Sequence, residues 1–306
     1  MPEMPPLVAA FYTLAGFRPF ESMGPSPHDL RVRIEAAAQA GYRGIGVDCI
    51  DLVTSVSRYG HAGIKAMLAD NGLDFFELEG LGDWYASGPA RAASDAVRAE
   101  MFSAAERIGV SHIKLTGNVV GRSVPPEVMR SEFNQFCADA ANAGTRATLE
   151  MVGISDVRDL ETARFVIDDT WTRNGGLCAD IWHFQRGGVP YEELSQMQGM
   201  VGWVELDDGR TSDFGSIISA QLDERRLPGE GDFDIAGFLS ALTETGYSGG
   251  MGVEILSDEV RALAPVEAAQ RSFAAAQAQL ARHAERRPAD DSMLDAGRGR
   301  PERLGA

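Results

Sequence analysis

Short apolar, β-branched runs alternate along nearly the whole chain with longer segments whose apolar positions recur every three or four residues. Eight of the short runs predict strands: "LVAAFYTL" (7–14), "GIGVD" (44–48), "DFFELEG" (74–80), "HIKLTG" (112–117), "ATLEMV" (147–152), "GLCAD" (176–180), "GWVELDD" (202–208) and "GMGVEIL" (250–256). Between them, "DLRVRIEAAAQAG" (29–41), "ASDAVRAEMFSAAERIG" (93–109), "PPEVMRSEFNQFCADAANAG" (125–144) and "DIAGFLSALTETG" (234–246) have helical spacing and stop at a glycine suited to a left-handed helix end.

The junctions "AGYRGIGVD", "NGLDFFELE", "IGVSHIKL", "AGTRATLE" and "TGYSGGMGVE" share one layout: a glycine near the helix end, a short polar link, then a new strand. Strands that alternate with helices pair in parallel through right-handed crossovers, and eight such units make a (β/α)8 TIM barrel. A doubly wound open sheet is the competing arrangement, but no GxGxxG follows the first strand to support it. We read residues 1–281 as a single α/β barrel domain and 282–306, rich in charge, proline and glycine, as a flexible tail.

The formal net charge of −17 argues against nucleic acid as a partner, since backbone binding needs clustered Lys and Arg. No apolar run reaches the ~18 residues that a membrane span requires. The first residues carry an acid and three prolines where a secretory signal would be basic, so a cytoplasmic location is expected. Cys49, Cys137 and Cys178 lack CxxC spacing and read as small buried hydrophobes.

In a barrel of this kind, chemistry sits at the C-terminal strand ends. Falling there are Asp48, Glu77, Glu79, Lys114, Glu150, Asp180 with His183, Glu205 with Asp207 and Asp208, and Glu254. "TLEMV", "CADIWH" and "GVEIL" each set an acid between hydrophobes, where an unpaired carboxylate is costly. Carboxylates converging on one mouth need a counter-charge, and a divalent cation is the simplest. A mostly oxygen donor set favours manganese, with magnesium or cobalt as alternatives, over a sulfur-loving zinc site. Glu79 and Trp84, in "ELEGLGDWY", are expected at the mouth, where an indole stacks on sugar C–H faces. Lys114 shares a strand with His112, and register decides which way each points. "PGEGD" reads as a turn rather than a phosphate-binding loop.

At "TLEMV" (Glu150), "CADIWHFQRGG" (Asp180, His183, Arg186), "RRLPGEGDFDIAGFLSAL" (225–242) and "GYSGGMGVEIL" (Glu254), the chain resembles the xylose-isomerase-like TIM barrels of the sugar phosphate isomerase/epimerase superfamily, over about residues 7–280. That resemblance implies Glu150, Asp180 and Glu254 as metal ligands and His183 as the residue that orients substrate. It also implies Glu150 and Glu254 as the acid/base pair and Arg186 as a substrate contact; Lys114, Glu79 and Trp84 join it as candidate substrate contacts from their own places near the strand ends. Family members usually supply a histidine ligand from strand seven in a pattern like "VHLKD"; here "VELDD" places Glu205 at that position, as a fourth metal ligand.

The implied activity is a divalent-metal-dependent isomerase or epimerase of a sugar or polyol ketone, moving a proton by carboxylate through an enediolate that the metal stabilises. The same machinery supports a lyase, either a dehydratase or an enzyme cleaving 3-keto glycosides. A metal-free binding protein is the non-enzymatic alternative. An endonuclease-IV-type nuclease would need a basic groove and more than the five histidines present. A small carbohydrate is the expected partner, with no membrane, and the chain is expected to form a dimer or tetramer.

Overall fold

Eight parallel strands close into a barrel in chain order. They are β1 (Leu7–Ala9), β2 (Gly44–Asp48), β3 (Phe75–Leu81), β4 (His112–Thr116), β5 (Ala147–Glu150), β6 (Gly175–Asp180), β7 (Val201–Leu206) and β8 (Met251–Val253). The computed structural model describes residues 4–19, 24–119, 124–168, 174–212 and 216–286. β1 pairs with both β2 and β8, which closes the ring and excludes the open sheet. The strands are buried on both faces, the reason their sequences read as nearly continuous apolar runs. Helices Leu30–Ala40, Gly88–Arg107, Pro126–Asn142 and Ile235–Glu244 lie where the periodicity predicts them.

Two boundaries are corrected. The first predicted strand ends at Ala9, and Phe11–Leu14 is a helical turn. There the Phe11 amide donates to Glu79 Oε1 at 2.5 Å rather than to a neighbouring strand. Residues 282–286, predicted as the start of the tail, belong instead to helix Pro265–Arg286. This helix buries Ala268, Ala276 and Leu280, and Ser272 Oγ meets Tyr42 Oη at 2.7 Å. Residues 287–306, the rest of the predicted tail, lie outside the described residues.

Side chains alternate into and out of the barrel along each strand. On β3, β4 and β7 the inward positions form two levels. Glu77, His112 and Trp203 lie below; Glu79, Lys114 and Glu205 lie one step nearer the C-terminal mouth. β2 makes room for both levels with Gly46, where a Cβ would come within 2.4 Å of Glu79 Oε1 and 2.6 Å of Glu77 Oε1. Among the described residues, no helix is long and apolar enough to cross a membrane.

Candidate active site

A cavity of about 400 Å³ opens at the C-terminal end of the barrel, lined by Glu79, Lys114, Glu150, His183, Arg225 and Glu254 among others. Four of the acids singled out from sequence converge beneath it: oxygens of Glu150, Asp180, Glu205 and Glu254 all lie within 4.8 Å of one another. They come from the ends of four consecutive strands, so the closed topology alone brings residues 150 and 254 to one place.

Local structure explains "DIWH". Asp180 ends β6 and caps helix Ile181–Gly187, accepting from the Trp182 amide at 2.9 Å through Oδ1. One helical turn later His183 swings back over it, with Nε2 3.5 Å from Asp180 Oδ2 and 3.4 Å from Glu150 Oε1. Capping uses one carboxylate oxygen of Asp180 and leaves the other for the site.

Two protein cations enter the acid cluster. Lys114 Nζ lies 2.7 Å from Glu205 Oε1 and 2.8 Å from Glu254 Oε1, with Glu79 at 3.5 Å and Glu150 at 3.9 Å. Sequence left its direction open; the structure turns it inward, with His112 one level below on the same face. Arg225 Nη1 bridges Asp180 Oδ2 (2.9 Å), Asp207 Oδ2 (2.5 Å) and Glu254 Oε2 (3.0 Å).

Arg225 is the residue that sequence reasoning missed as a member of the site, although it opens the quoted motif "RRLPGEGD". Its position depends on the loop that follows. Buried Asp208, the last acid of "VELDD", accepts from the amides of Gly229, Gly231 and Phe233 at 2.8–3.0 Å. Asp208 also pairs through its backbone with Arg226. Gly231 is required there, since a Cβ would fall 2.3 Å from Asp208 Oδ1. "PGEGD" is therefore a turn wrapped on one carboxylate, and it holds Arg225 over the barrel mouth.

Two expectations are corrected. Arg186 does not line the cavity; its guanidinium stacks on Trp182, 4.4 Å from the ring centroid, and Arg225 holds the position facing the carboxylates. Trp84 lies under the mouth rather than at it. Its indole donates to the Thr116 carbonyl at 2.9 Å and packs against Tyr85 and Phe133. Glu79 does line the cavity, with one oxygen committed to the Phe11 amide. Cys137 and Cys178 are buried as expected, whereas Cys49 is half-buried at the cavity wall and Cys178 Sγ donates to Glu205 Oε2 at 3.4 Å.

Burial dominates the electrostatics. It acts to raise the Glu150 carboxyl, but Lys114 and a hydrogen bond from His183 override it and hold the group down to about 2. Burial raises Asp180 against the pull of Arg225, and pushes Glu205 and Asp207 well above the usual carboxylate range. It pushes Glu79 up to about 7, against Lys114. Burial works against the charge of Lys114, yet Glu150, Glu205, Glu254 and Glu79 together keep its ammonium protonated. The site thus combines a firmly ionised Glu150 with neighbours whose carboxyls burial pushes toward the protonated form.

That balance fits a divalent cation. Glu79, Glu150, Asp180, Glu205, Asp207 and Glu254 face only Lys114 and Arg225 among the described cations in contact with them. The converging donors are hard carboxylate oxygens with one imidazole in reach. A bound ion would favour the ionised form of Glu205, against the burial that raises it.

The profile of a family described as xylose isomerase-like TIM barrel matches residues 34–280. The chain is 26% identical over 243 residues to the 3-dehydroshikimate dehydratase of Pseudomonas aeruginosa, covering 77% of this chain and 37% of that protein. It is 29% identical over 178 residues to the inosose isomerase of Bacillus subtilis, covering 56% of this chain and 63% of that one. The chain thus spans less than two thirds of either relative. A solved structure of IolI protein with a bound zinc atom superposes with a TM-score of 0.80 at 20% identity, over 91% of this chain and 99% of that one.

Proposed function

Because this chain belongs to the xylose isomerase-like TIM barrel family, we propose that it is a divalent-metal-dependent isomerase or epimerase of a neutral sugar or polyol ketone. The observation that carries this reading is the meeting of Glu150 and Glu254 in one cavity, from strand ends three places apart around the barrel, beside His183 and Arg225. Glu150, Asp180, Glu205 and Glu254 would hold the ion. When bound, it supplies a Lewis acid that polarises a substrate oxygen and lowers the acidity barrier of the adjacent C–H.

The remaining steps belong to the protein's own side chains. Glu150 enters ionised and is suited to take the proton from the carbon beside the carbonyl, while Glu254, on another side of the same cavity, returns a proton it has drawn from solvent, and Glu150 then gives its own up to solvent. His183 Nε2 and the Arg225 guanidinium orient substrate oxygens as charge develops on them. The described lining is acidic, with Asp48, Glu79, Asp83, Glu150 and Glu254, and its Lys114 and Arg225 are already paired to carboxylates. A neutral keto-polyol suits that lining better than a phosphorylated or carboxylated one. The likeness to an inosose isomerase supports the same substrate class. Metal preference follows the oxygen-rich donor set, with Mn²⁺ first.

The likeness to a dehydratase supports a second reading, in which the proton taken beside the carbonyl is followed by loss of a β-hydroxyl as water. Incubation of Mn²⁺-loaded protein with a panel of neutral inososes, ketoses and 3-keto glycosides, followed by NMR and mass analysis, separates the two. Isomeric products of unchanged mass establish the isomerase, and products lighter by one water establish the dehydratase. No conversion of any member, with Mn²⁺ shown to be bound, overturns both.

A further inference from the structure

Lys114 stands where the carboxylate cluster would receive its ion. Its Nζ touches three of the four converging acids, Glu205 at 2.7 Å, Glu254 at 2.8 Å and Glu150 at 3.9 Å, and those acids' oxygens meet within 4.8 Å. An ammonium has no lone pair to offer a metal and repels it, so the two cations compete for Glu205 and Glu254. Lys114 also has somewhere to go. Glu79 Oε2 lies 3.5 Å from the same Nζ, is not one of the four converging acids, and belongs to a residue on the neighbouring strand that lines the open cavity. The four-carbon stem of lysine turns through such a distance by rotamer changes alone.

We propose, resting on the metal-dependent reading above, that metal binding here is a cation exchange. The ammonium of Lys114 holds the carboxylates together while the ion is absent, leaves Glu205 and Glu254 when the ion enters, and then pairs with Glu79 at the cavity wall. Lys114 is thus a positioning residue that sets how tightly the ion is held, and Glu79 is its landing place. This chain has reason for such a device: β7 contributes an acid, Glu205, whose oxygen is the group nearest to the ammonium.

The test is the Mn²⁺ dissociation constant of the full chain, read by electron paramagnetic resonance of free Mn²⁺, with thermal shift as a second readout. Lys114→Met should bind Mn²⁺ at least about tenfold more tightly than the parent and gain more in Tm on adding Mn²⁺. Glu79→Gln keeps Lys114 and all four acids but removes the landing place, and should bind Mn²⁺ several-fold more weakly. Equal or weaker binding by Lys114→Met, with the parent still binding, overturns the exchange and leaves the metal-dependent reading standing. If Lys114→Met does not fold even with Mn²⁺, Glu79→Gln decides, and an affinity equal to the parent's overturns the exchange. Absence of Mn²⁺ binding in the parent and both variants overturns the exchange and the metal-dependent reading together.

Discussion

The two inward levels of the barrel are built from the same three strands, two residues apart, and behave oppositely. In the lower level, Glu77 and His112 sit 3.4 Å apart beneath Trp203, whose ring centroid is 4.3 Å from the imidazole. No Lys or Arg is in salt-bridge contact with Glu77 there among the described residues. Burial pushes the Glu77 carboxyl well up and the His112 imidazole down to about 3, so the imidazole is neutral near pH 7. In the upper level, Glu79, Lys114 and Glu205 join Glu150, Asp180 and Glu254, and Lys114 with Arg225 keeps part of the cluster charged. Burial is nearly complete in both. What separates the two polar layers is the supply of positive charge.

Removing that supply is the harshest way to break the comparison. Arg225→Met leaves Asp180, Asp207 and Glu254 buried without their shared guanidinium, and should cost about 3–5 kcal/mol in urea unfolding at pH 7. Glu77→Gln, an isosteric change to a carboxyl that burial already pushes toward its neutral form, should move the same unfolding curve by less than about 1 kcal/mol. Comparable losses in the two variants would show that charge does not distinguish the levels.

Gly46→Ala tests the space that both levels share. The new Cβ would meet Glu79 Oε1 at 2.4 Å and the Phe11 amide nitrogen at 2.8 Å, so an overpacking loss of about 1–3 kcal/mol is expected. Parent-like stability would show that the wall yields more readily than the contacts imply.

The smallest effects, and the sharpest, are slopes with pH. Because His112 resists its proton when folded, it contributes stability that is present above pH 6.5 and lost as pH falls toward about 3. The stability difference between parent and His112→Asn should therefore shrink as pH falls through that window, by up to about 1.4 kcal/mol per unit. Glu79 works the other way. It keeps its proton to about 7 when folded, against 4.5 unfolded, so stability is lost as pH rises from 4.5 to about 7. The parent's disadvantage relative to Glu79→Gln should grow over that range. Slopes of the same sign in the two variants would contradict the assignment of the levels.

Much of this was legible in the chain. Strand and helix alternation specified the barrel, acids embedded in apolar runs identified Glu150, Asp180 and Glu254, because a buried carboxylate needs a reason, and Glu205 came from its place where family members carry a strand-seven histidine. His183 followed from its place three residues after Asp180 at a strand end and from the family resemblance. What escaped depends on contacts distant in sequence. Arg225 precedes a loop whose shape is set by Asp208, and nothing local shows that the loop folds back over the mouth. Lys114 could be placed on a strand but not on a face, since a shift of one residue reverses every side chain. Trp84 and Arg186 carry the right chemistry for a sugar site, yet each is satisfied by a neighbour, Thr116 for one and Trp182 for the other.

The proposed reaction requires the upper carboxylates to move a proton and gives the lower one no part in it. The direct measurement is deuterium incorporation beside the carbonyl of an inosose in D₂O with Mn²⁺, for the parent, Glu150→Gln and Glu77→Gln. The account predicts exchange by the parent, at least about a 10²-fold loss in Glu150→Gln, and a parent-like rate in Glu77→Gln. A parent-like rate in Glu150→Gln, or equal losses in both variants, would contradict it.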